Sequence, residues 1–397
     1  MRKYDVSIIV VNYNGRKYLY RFFESLTRLE TDGIQFEVVF VDNASGDDSV
    51  AFIRENGWDQ RLHLKIVENV DNQGFAQGNN TGVANAEGEY IVFLNNDTAV
   101  DSKWLTNLYR RISTDTSCGI VTGKLLFFYD FLELTFRTKD KILLGSEIEI
   151  NGQPYSIDSK FCTNVLYGDT ITCFGHTSIS ISVLCENADF TLSLAFEEYD
   201  PTIDKVCFCG KEYEIKDRQL RITIDESAVA EYKFALIQNA GSEINEKCDG
   251  FDIGMGQRDS EEYSVEKELM SSCGASLMMR KADFDHLGGF DAQFFMYYED
   301  TDLSFRLRKM GKKIIYCPTA VVRHIHTGSS KEWSPMFCYH VFRNKLLFVY
   351  KNIGKGQFVK HVIKQYGSGL KHRDKMMLRA VSDAVRIAIF KVKGIKY

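Results

Sequence analysis

Four short apolar runs, VSIIVV (6–11), EVVFVD (37–42), LKIVEN (64–69) and YIVFLNN (90–96), decide most of what this chain can fold into. Each is apolar on both faces, and amphipathic stretches separate them. Residues 18–29 have the 3.6-residue period of a helix, a second helix opens at Ser45–Gly46–Asp47–Asp48, and a third is expected around 76–86. Strands buried on both faces that alternate with helices predict a parallel sheet covered by helices. Ligands bind such sheets at the carboxyl ends of the strands. The polar groups Asn12–Asn14, Asp42–Ser45 and Asn95–Asp97 all fall there.

The texture changes after Leu126. Between Phe128 and Ala235 short alternating segments dominate, among them ILLGSEIEI, FTLSLAFEEY and QLRITI, with turn-like NGQP, YDPTID and CGKE between them. That is the pattern of an all-β, sandwich-like domain. Helix-and-strand texture resumes later: a strand over 269–279, helices over 280–287 and 298–311, strands over 313–318 and 320–328, and helical chain beyond Ser334. The expected organisation is a discontinuous α/β domain (1–127 and 236–333), an inserted β domain (128–235) and a C-terminal helical, basic region (334–397). As both ends of an insertion leave their host close together, the β domain is expected beside an acceptor entrance, binding glycan or a partner or acting as a spacer.

The N-terminal MRKYDVSIIVV resembles a secretion signal only superficially, because the apolar run passes into NYNG with no small-residue cleavage site. No run approaches the roughly 20 apolar residues of a membrane-spanning helix. The ten cysteines are scattered except for Cys207 and Cys209, as expected of reduced thiols in the cytoplasm. Net charge is −5, but residues 351–397 hold twelve Lys/Arg against two Asp, so the rest of the chain is strongly acidic. Cations interleaved with apolar residues suit an anionic membrane surface, giving a cytoplasmic protein with peripheral contact on the inner face of the membrane. With an acidic remainder and no recognised module, nucleic acid is excluded as a partner.

Three clusters can carry chemistry. Asn95–Asn96–Asp97 ends an apolar strand, where a carboxylate can hold a divalent cation that bridges a diphosphate. Read alone, it is as well explained by a polar turn. Glu299, Asp300 and Asp302 fall at a helix start, where they can serve the helix dipole. Crowded carboxylates also raise one another's pKa, which suits a general base. Asp302 and Arg306 are spaced to pair along the helix, which leaves Glu299 and Asp300 for the cleft. His324 and His326 stand two apart on a strand and can point the same way.

Taken together, VSIIVVNYNG, VVFVDNASGDDSV, NVDNQGFAQGNNTGV, GEYIVFLNNDTAVD, IVTGKLL, QNAGSEI, SSCGASLMMRKADFDHLGGFDAQFFMYYEDTDLSFRLRKMG and VVRHIHTGSS resemble the family 2 glycosyltransferases of the GT-A fold, in particular their rhamnosyltransferase-like branch. The resemblance implies that Val11, Asn12 and Tyr13 line a nucleoside pocket, that Asp42 hydrogen-bonds the base, and that Asn72, Gly74 and Asn79 lie along the nucleotide. Asn96 and Asp97 occupy the family's DxD-like place, with Asp97 and His324 as metal ligands for Mg²⁺ or Mn²⁺. Asp300, beside Glu299, would be the base in a single inverting displacement, with Gly289–Phe290–Asp291 in an acceptor-side loop. The implied donor is a UDP- or dTDP-sugar, and the implied acceptor is a glycan or lipid-linked hydroxyl in cell-surface polysaccharide synthesis. The chain departs from the family in the roughly 110 residues between its KLL and QNAG segments. Two other classes fit the same composition: a nucleotidyltransferase of nucleotide-sugar synthesis, and a non-catalytic sugar-binding protein. The first would want a glycine-rich basic loop where this chain has NYNGRKY, and the second would leave the carboxylates incidental.

Overall fold

The computed structural model describes residues 3–167, 170–183, 189–201, 204–325 and 333–390. His326 and residues 391–397 of the basic tail lie outside the described residues. The chain divides into two compact units: Met1–Phe128, Gln238–Met255 and Ser260–Tyr397 form the first, and Tyr129–Ile237 with Gly256–Asp259 form the second.

In the first unit, the strands Leu64–Glu68, Phe36–Asp42, Val6–Asn12 and Tyr90–Leu94 lie side by side in that order, and all run parallel. Their burial explains the run-like sequences, since all five residues of Tyr90–Leu94 and all ten of Cys118–Phe127 are buried. Beyond Tyr90–Leu94 the sheet becomes mixed. Ser276–Arg280 is inserted antiparallel between Tyr90–Leu94 and Cys118–Phe127, and Lys313–His324 runs parallel to the latter. Helix Arg16–Thr27 covers the sheet through Leu19, Phe22, Phe23 and Leu26, one stripe at the i, i+3, i+4, i+7 spacing. Each such side chain stabilises by roughly 1.5–3 kcal/mol on full burial. Helix Gly74–Ala84 lies closer still: a Cβ on Gly82 would come within 2.4 Å of Ile9, so glycine sets the helix–sheet distance there.

Several boundaries differ from those read in the sequence. The strand expected over 269–279 is confined to Ser276–Arg280, with a separate edge strand at Lys267–Leu269. Between them the backbone leaves the ladder: Ser272 N donates to Ser304 Oγ (3.1 Å) and Gly274 N to Asp300 Oδ2 (2.9 Å). The two strands expected over 313–328 are one, Lys313–His324, whose register shifts between Cys317 and Val321. The helix expected over 298–311 is Glu299–Lys309, and its cap Tyr298 is left-handed, with φ 71°.

The C-terminal chain forms helices Pro335–Phe348, Lys355–Lys371 and Lys375–Phe390, with a single π turn at Val349–Ile353. Leu346, Phe348, Phe358, Ala384 and Ile387 share one core with Phe294. Among the described residues no helix is long and apolar enough to cross a membrane.

The second unit is antiparallel and organised on one twenty-residue strand, Phe131–Ile150, which pairs with Ile171–Ser182, Phe190–Glu198, Lys205–Phe208 and Gln153–Tyr155. Alternation is regular in Gln219–Ile224, where Leu220, Ile222 and Ile224 are buried between exposed neighbours. The unit has its own core, which includes Leu134, Phe136, Ile179, Leu192 and Phe208. It also holds a short helix, Glu226–Tyr232, capped by Asp225. All nine described cysteines are free thiols; Cys207 is on strand Lys205–Phe208 and Cys209 is in the following turn at φ 48°.

Candidate active site

Sheet register brings the first two candidate residues together. The short strand Thr98–Val100 pairs antiparallel with the end of Lys313–His324, with His324 opposite Thr98, and Ile325 N donates to Asp97 O at 3.0 Å. Asp97 Oδ1 then lies 3.1 Å from His324 Nε2, and both side chains are buried. The other ring nitrogen, Nδ1, is 2.8 Å from Gln238 Oε1, and Asn95 Nδ2 is 3.3 Å from Nε2. With Gln238 accepting from Nδ1–H, Nε2 is left to face Asp97, Asn95 or a cation. Two ligands at right angles around an octahedral ion, each about 2.1 Å from it, stand about 3.0 Å apart. The Asp97–His324 separation meets that requirement, and the hydrogen bond behind the ring is the support that metal-ligating histidines usually have. Among the described residues no third His, Cys, Asp or Glu joins them. Water and a diphosphate would complete the shell.

Glu299 and Asp300 reach the same place from another direction. Ser276 is paired with Leu94, so the segment just before it, Ser271–Gly274, runs past the end of strand Tyr90–Leu94. Gly274 N holds Asp300 Oδ2 at 2.9 Å, while Thr301 N and Oγ1 donate to Asp300 Oδ1 at 2.7 and 3.3 Å. Burial pushes the Asp300 carboxyl upward, against these hydrogen bonds. Glu299 is more extreme. It is buried, its Oε2 has no hydrogen-bond partner among the described residues, and burial together with the neighbouring Asp300 charge drives its pKa well above the carboxylate range. Burial thus favours the protonated form of Glu299. Asp302 pairs with Arg306 (2.7 Å), as its spacing predicts, and also accepts from Asn352 Nδ2.

Asp97, His324, Glu299 and Asp300 all line one cavity of about 430 Å³, within the range of small-ligand sites. Asn95, Gln238, Asn239, Asp252 and Phe75 line it too.

The nucleotide candidates form a neighbouring network rather than part of this cavity's wall. Asn12 Nδ2 donates to Asp42 Oδ1 (3.0 Å) and Ser45 Oγ (3.1 Å), and Asn96 Nδ2 donates to Asn12 Oδ1 (2.6 Å). Ser45 N and Oγ bind the two oxygens of Asp42. The carboxyl ends of the first, second and fourth strands are thus tied by side chains, and Asn96 connects that network to Asp97. Val11 is half-buried and Tyr13 is exposed. Asn72 Oδ1 accepts from Gly74 N (2.9 Å), and Asn79 is buried and donates to its own helix at Phe75 O. Asn80, not singled out in the sequence, clamps the loop at Gly289–Asp291 by exchanging two hydrogen bonds with the backbone of Phe290.

Two further features were missed in the sequence. Asp252 ends the hairpin Ser242–Ile244/Gly250–Asp252, where Asn239 Nδ2 (2.5 Å) and Ser242 Oγ (3.1 Å) donate to its Oδ1. It lines the cavity and is exposed to it, and desolvation by the surrounding cavity wall raises its carboxyl to about 6. The second feature is the loop before Glu299. Phe295, Tyr297 and Tyr298 all have φ between 67° and 71°, a conformation costing about 1–3 kcal/mol at each non-glycine residue. It is held from helix Pro335–Phe348: Asn344 Nδ2 donates to the carbonyls of Phe294, Met296 and Tyr297, and Arg343 Nη2 to those of Gln293 and Phe294, all at 2.8–2.9 Å. The sequence carries no signal for this clamp, since Arg343 and Asn344 stand beside His340 and Lys345 in a helix of mixed polarity.

Residues 7–179 match the family model described as Glycosyl transferase family 2. Poly(ribitol-phosphate) beta-N-acetylglucosaminyltransferase TarS of Staphylococcus aureus is 30% identical over 100 residues, 25% of this chain and 17% of that protein. N-acetylglucosaminyl-diphospho-decaprenol L-rhamnosyltransferase of Mycobacterium tuberculosis is 47% identical over 51 residues, 13% of this chain and 17% of that one. The chain thus matches 17% of the length of each of these relatives. In fold it is similar to the crystal structure of GalNAc-T7 with UDP, GalNAc and Mn²⁺, at a TM-score of 0.51 and 14% identity, covering 87% of this chain and 47% of that one. The family match at residues 7–179 takes in the parallel strands and their polar ends, and the fold likeness extends over 87% of the chain.

Proposed function

We propose that this protein is a metal-dependent, inverting glycosyltransferase that moves a sugar from a nucleoside-diphosphate sugar to a hydroxyl acceptor in cell-surface glycan synthesis. The observation that carries the reading is the sharing of one cavity by the Asp97–His324 pair and by Asp300, with Asp97 more than 200 positions from the other two in sequence. A cation bound there would neutralise charge on the departing diphosphate. A ligand pair of one carboxylate and one imidazole favours Mn²⁺ over Mg²⁺, which prefers oxygen alone. The Asn12–Asp42–Ser45–Asn96 network would receive the nucleoside, beside Val11 and Tyr13, with Asn72 and Gly74 along the phosphates. Asn79, turned into its own helix, would shape that loop rather than touch the nucleotide.

In this reading the ionised Asp300 removes a proton from the acceptor hydroxyl as its oxygen attacks the anomeric carbon. The bond to the diphosphate breaks on the opposite face, so the configuration inverts. Fixed by three hydrogen bonds and with a raised pKa, Asp300 is suited to accept a proton. Glu299, whose protonated form burial favours, would donate a hydrogen bond to the acceptor or to Asp300. The acceptor would be a glycan or lipid-linked hydroxyl, and the cations of residues 351–397 add an anionic membrane surface to the partners. The first unit would be the catalytic domain and the second, all-β unit an accessory module.

A nucleotidyltransferase is disfavoured by NYNGRKY after the first strand, where that chemistry wants a glycine-rich basic loop. The deciding experiment is a screen of UDP-, dTDP- and GDP-sugars for Mn²⁺-dependent binding and slow donor hydrolysis. Metal-independent binding, or release of pyrophosphate from a nucleoside triphosphate and a sugar phosphate, would defeat the proposal.

A further inference from the structure

Helix Lys355–Lys371 has two apolar faces, and among the described residues only one of them is covered. At 100° per residue, Phe358, Val362 and Gly369 fall on one side. Phe358 and Gly369 are buried there, and Phe358 and Val362 pack into the core formed with Leu346 and Ile387. Val359, Ile363, Tyr366 and Leu370 recur at steps of four, three and four, so they line a second side about 100° round the axis. These four are 52%, 68%, 47% and 56% exposed. Single exposed apolar side chains are ordinary on a protein surface, but four in register mark a face that meets something.

The charge beside that face identifies what it meets. Lys360, Lys364 and Lys371 fall in the next sector of the helix and are all exposed, and Lys355 borders the other edge. The helix contains no acidic residue. The next helix has a single acid, Asp383, which is buried and bonded to Tyr339; its last two described residues, Ile389 and Phe390, are exposed. A second copy meeting this face with its own equivalent face would bring cations against cations. A surface of apolar chains topped by phosphates would satisfy both the stripe and the lysines, whose stems can lie along the apolar side while their ammonium groups reach outward.

We propose that helix Lys355–Lys371 lies on an anionic lipid surface, with Val359, Ile363, Tyr366 and Leu370 at the acyl boundary and Lys360, Lys364 and Lys371 on the headgroup phosphates. This gives residues to the membrane contact in the functional reading but does not depend on sugar transfer. The test is sedimentation of the full chain with phosphatidylcholine vesicles, with and without phosphatidylglycerol. Binding is expected only with the anionic lipid and should weaken as salt is raised. Changing Val359, Ile363 and Leu370 together to Ser should abolish it. Changing Lys360, Lys364 and Lys371 to Gln should lower the partition coefficient roughly a hundredfold, about fivefold per cation. Both variants should keep the parent's circular dichroism and its donor hydrolysis in vesicle-free buffer. Equal binding by parent and variants, or no binding by the parent, would overturn the inference. So would a lipid-free parent that sediments as a dimer while the Ser variant sediments as a monomer, because the face would then belong to a second copy. Loss of donor hydrolysis with vesicle binding intact would count against the enzymatic reading alone.

Discussion

Asp97 and His324 are separated by most of the chain, yet their side chains approach to 3.1 Å because Thr98 and His324 are register partners in one short antiparallel ladder. The pair is therefore fixed by backbone hydrogen bonds on both sides, and Gln238 fixes the far nitrogen of the ring. If the pair holds a cation, Asp97→Asn and His324→Ala should each remove the Mn²⁺ dependence of nucleotide-sugar binding in calorimetric titrations. Gln238→Leu should leave both ligands in place and weaken Mn²⁺ by about 10–100-fold, the usual effect of losing such a supporting bond. Unchanged Mn²⁺ affinity in all three variants would refute the assignment.

The two acidic residues at the start of helix Glu299–Lys309 should respond differently to amide substitution. Asp300→Asn removes the proposed proton acceptor and should lower the transfer rate by about 10²–10⁴ with donor binding retained. Glu299→Gln puts a neutral amide of the same shape where burial favours the uncharged acid, so transfer should stay within about tenfold of the parent. Steady-state transfer assays, with donor affinity measured separately, distinguish the two. A larger loss in the Glu299 variant would reverse their roles.

Much of this site was legible in the sequence because the relevant signals are local. Buried parallel strands read as continuous apolar runs, and polar residues at their ends stand out. The two carboxylates before LSFRLRK stand out in the same way. What was not legible depends on pairing between distant segments. Nothing near Gln238 announces that it will sit behind His324. Asp252 ends a hairpin of two three-residue strands, too short for any periodicity. Arg343 and Asn344 read as ordinary helix residues until the carbonyls of the loop 293–297 are seen to converge on them. Local sequence also gave no reason to expect that residues 270–275 would leave their strand; the acceptors for their amides, Ser304 and Asp300, lie some thirty residues on.

Activity and stability should respond to pH in opposite directions. If Asp300 is the base it works ionised, and its pKa is raised, so transfer should fall, as pH drops, at a higher pH than an ordinary aspartate would give. For stability, the folded chain binds a proton at Asp252 up to about pH 6, whereas an unfolded aspartate releases it near the ordinary 3.8. The contribution of Asp252 is thus fully present below about pH 4 and is lost as pH rises through about 6. Other carboxylates shift the other way, Asp115 down to about 2 among them, so the informative quantity is a difference. The stability gap between Asp252→Asn and the parent, from urea unfolding, should widen in favour of the variant between pH 4 and 7. A gap that does not change with pH would mean that Asp252 is not desolvated in the fold.

The left-handed residues Phe295, Tyr297 and Tyr298 persist only because something holds them. Asn344→Ala removes the donor shared by three carbonyls and should destabilise the protein by up to about 3 kcal/mol, read from the urea midpoint. It should also reduce the transfer rate more than donor affinity, since the loop leads directly into Glu299 and Asp300. A variant that loses stability while keeping the parent's transfer rate would show the clamp to be purely structural.

Gly74 tests whether the donor loop and the base loop are mechanically one. Its φ is +77°, and a Cβ there would lie 2.5 Å from both the ring and the carbonyl oxygen of Phe295. That carbonyl is already the acceptor for Ala76 N at 3.0 Å. Gly74→Ala therefore strains its own backbone and pushes on the residue where the left-handed run begins. Neither contact can be relieved by turning a flexible side chain, since one partner is backbone and the Phe295 ring is stacked on His340. The expected cost is about 1–3 kcal/mol from overpacking, with a loss of transfer rate that resembles that of Asn344→Ala. In the double variant the two losses should be less than additive, because each displaces the same loop. Full additivity of the stability changes would separate the two loops and leave Gly74 with a local role in the turn after Asn72.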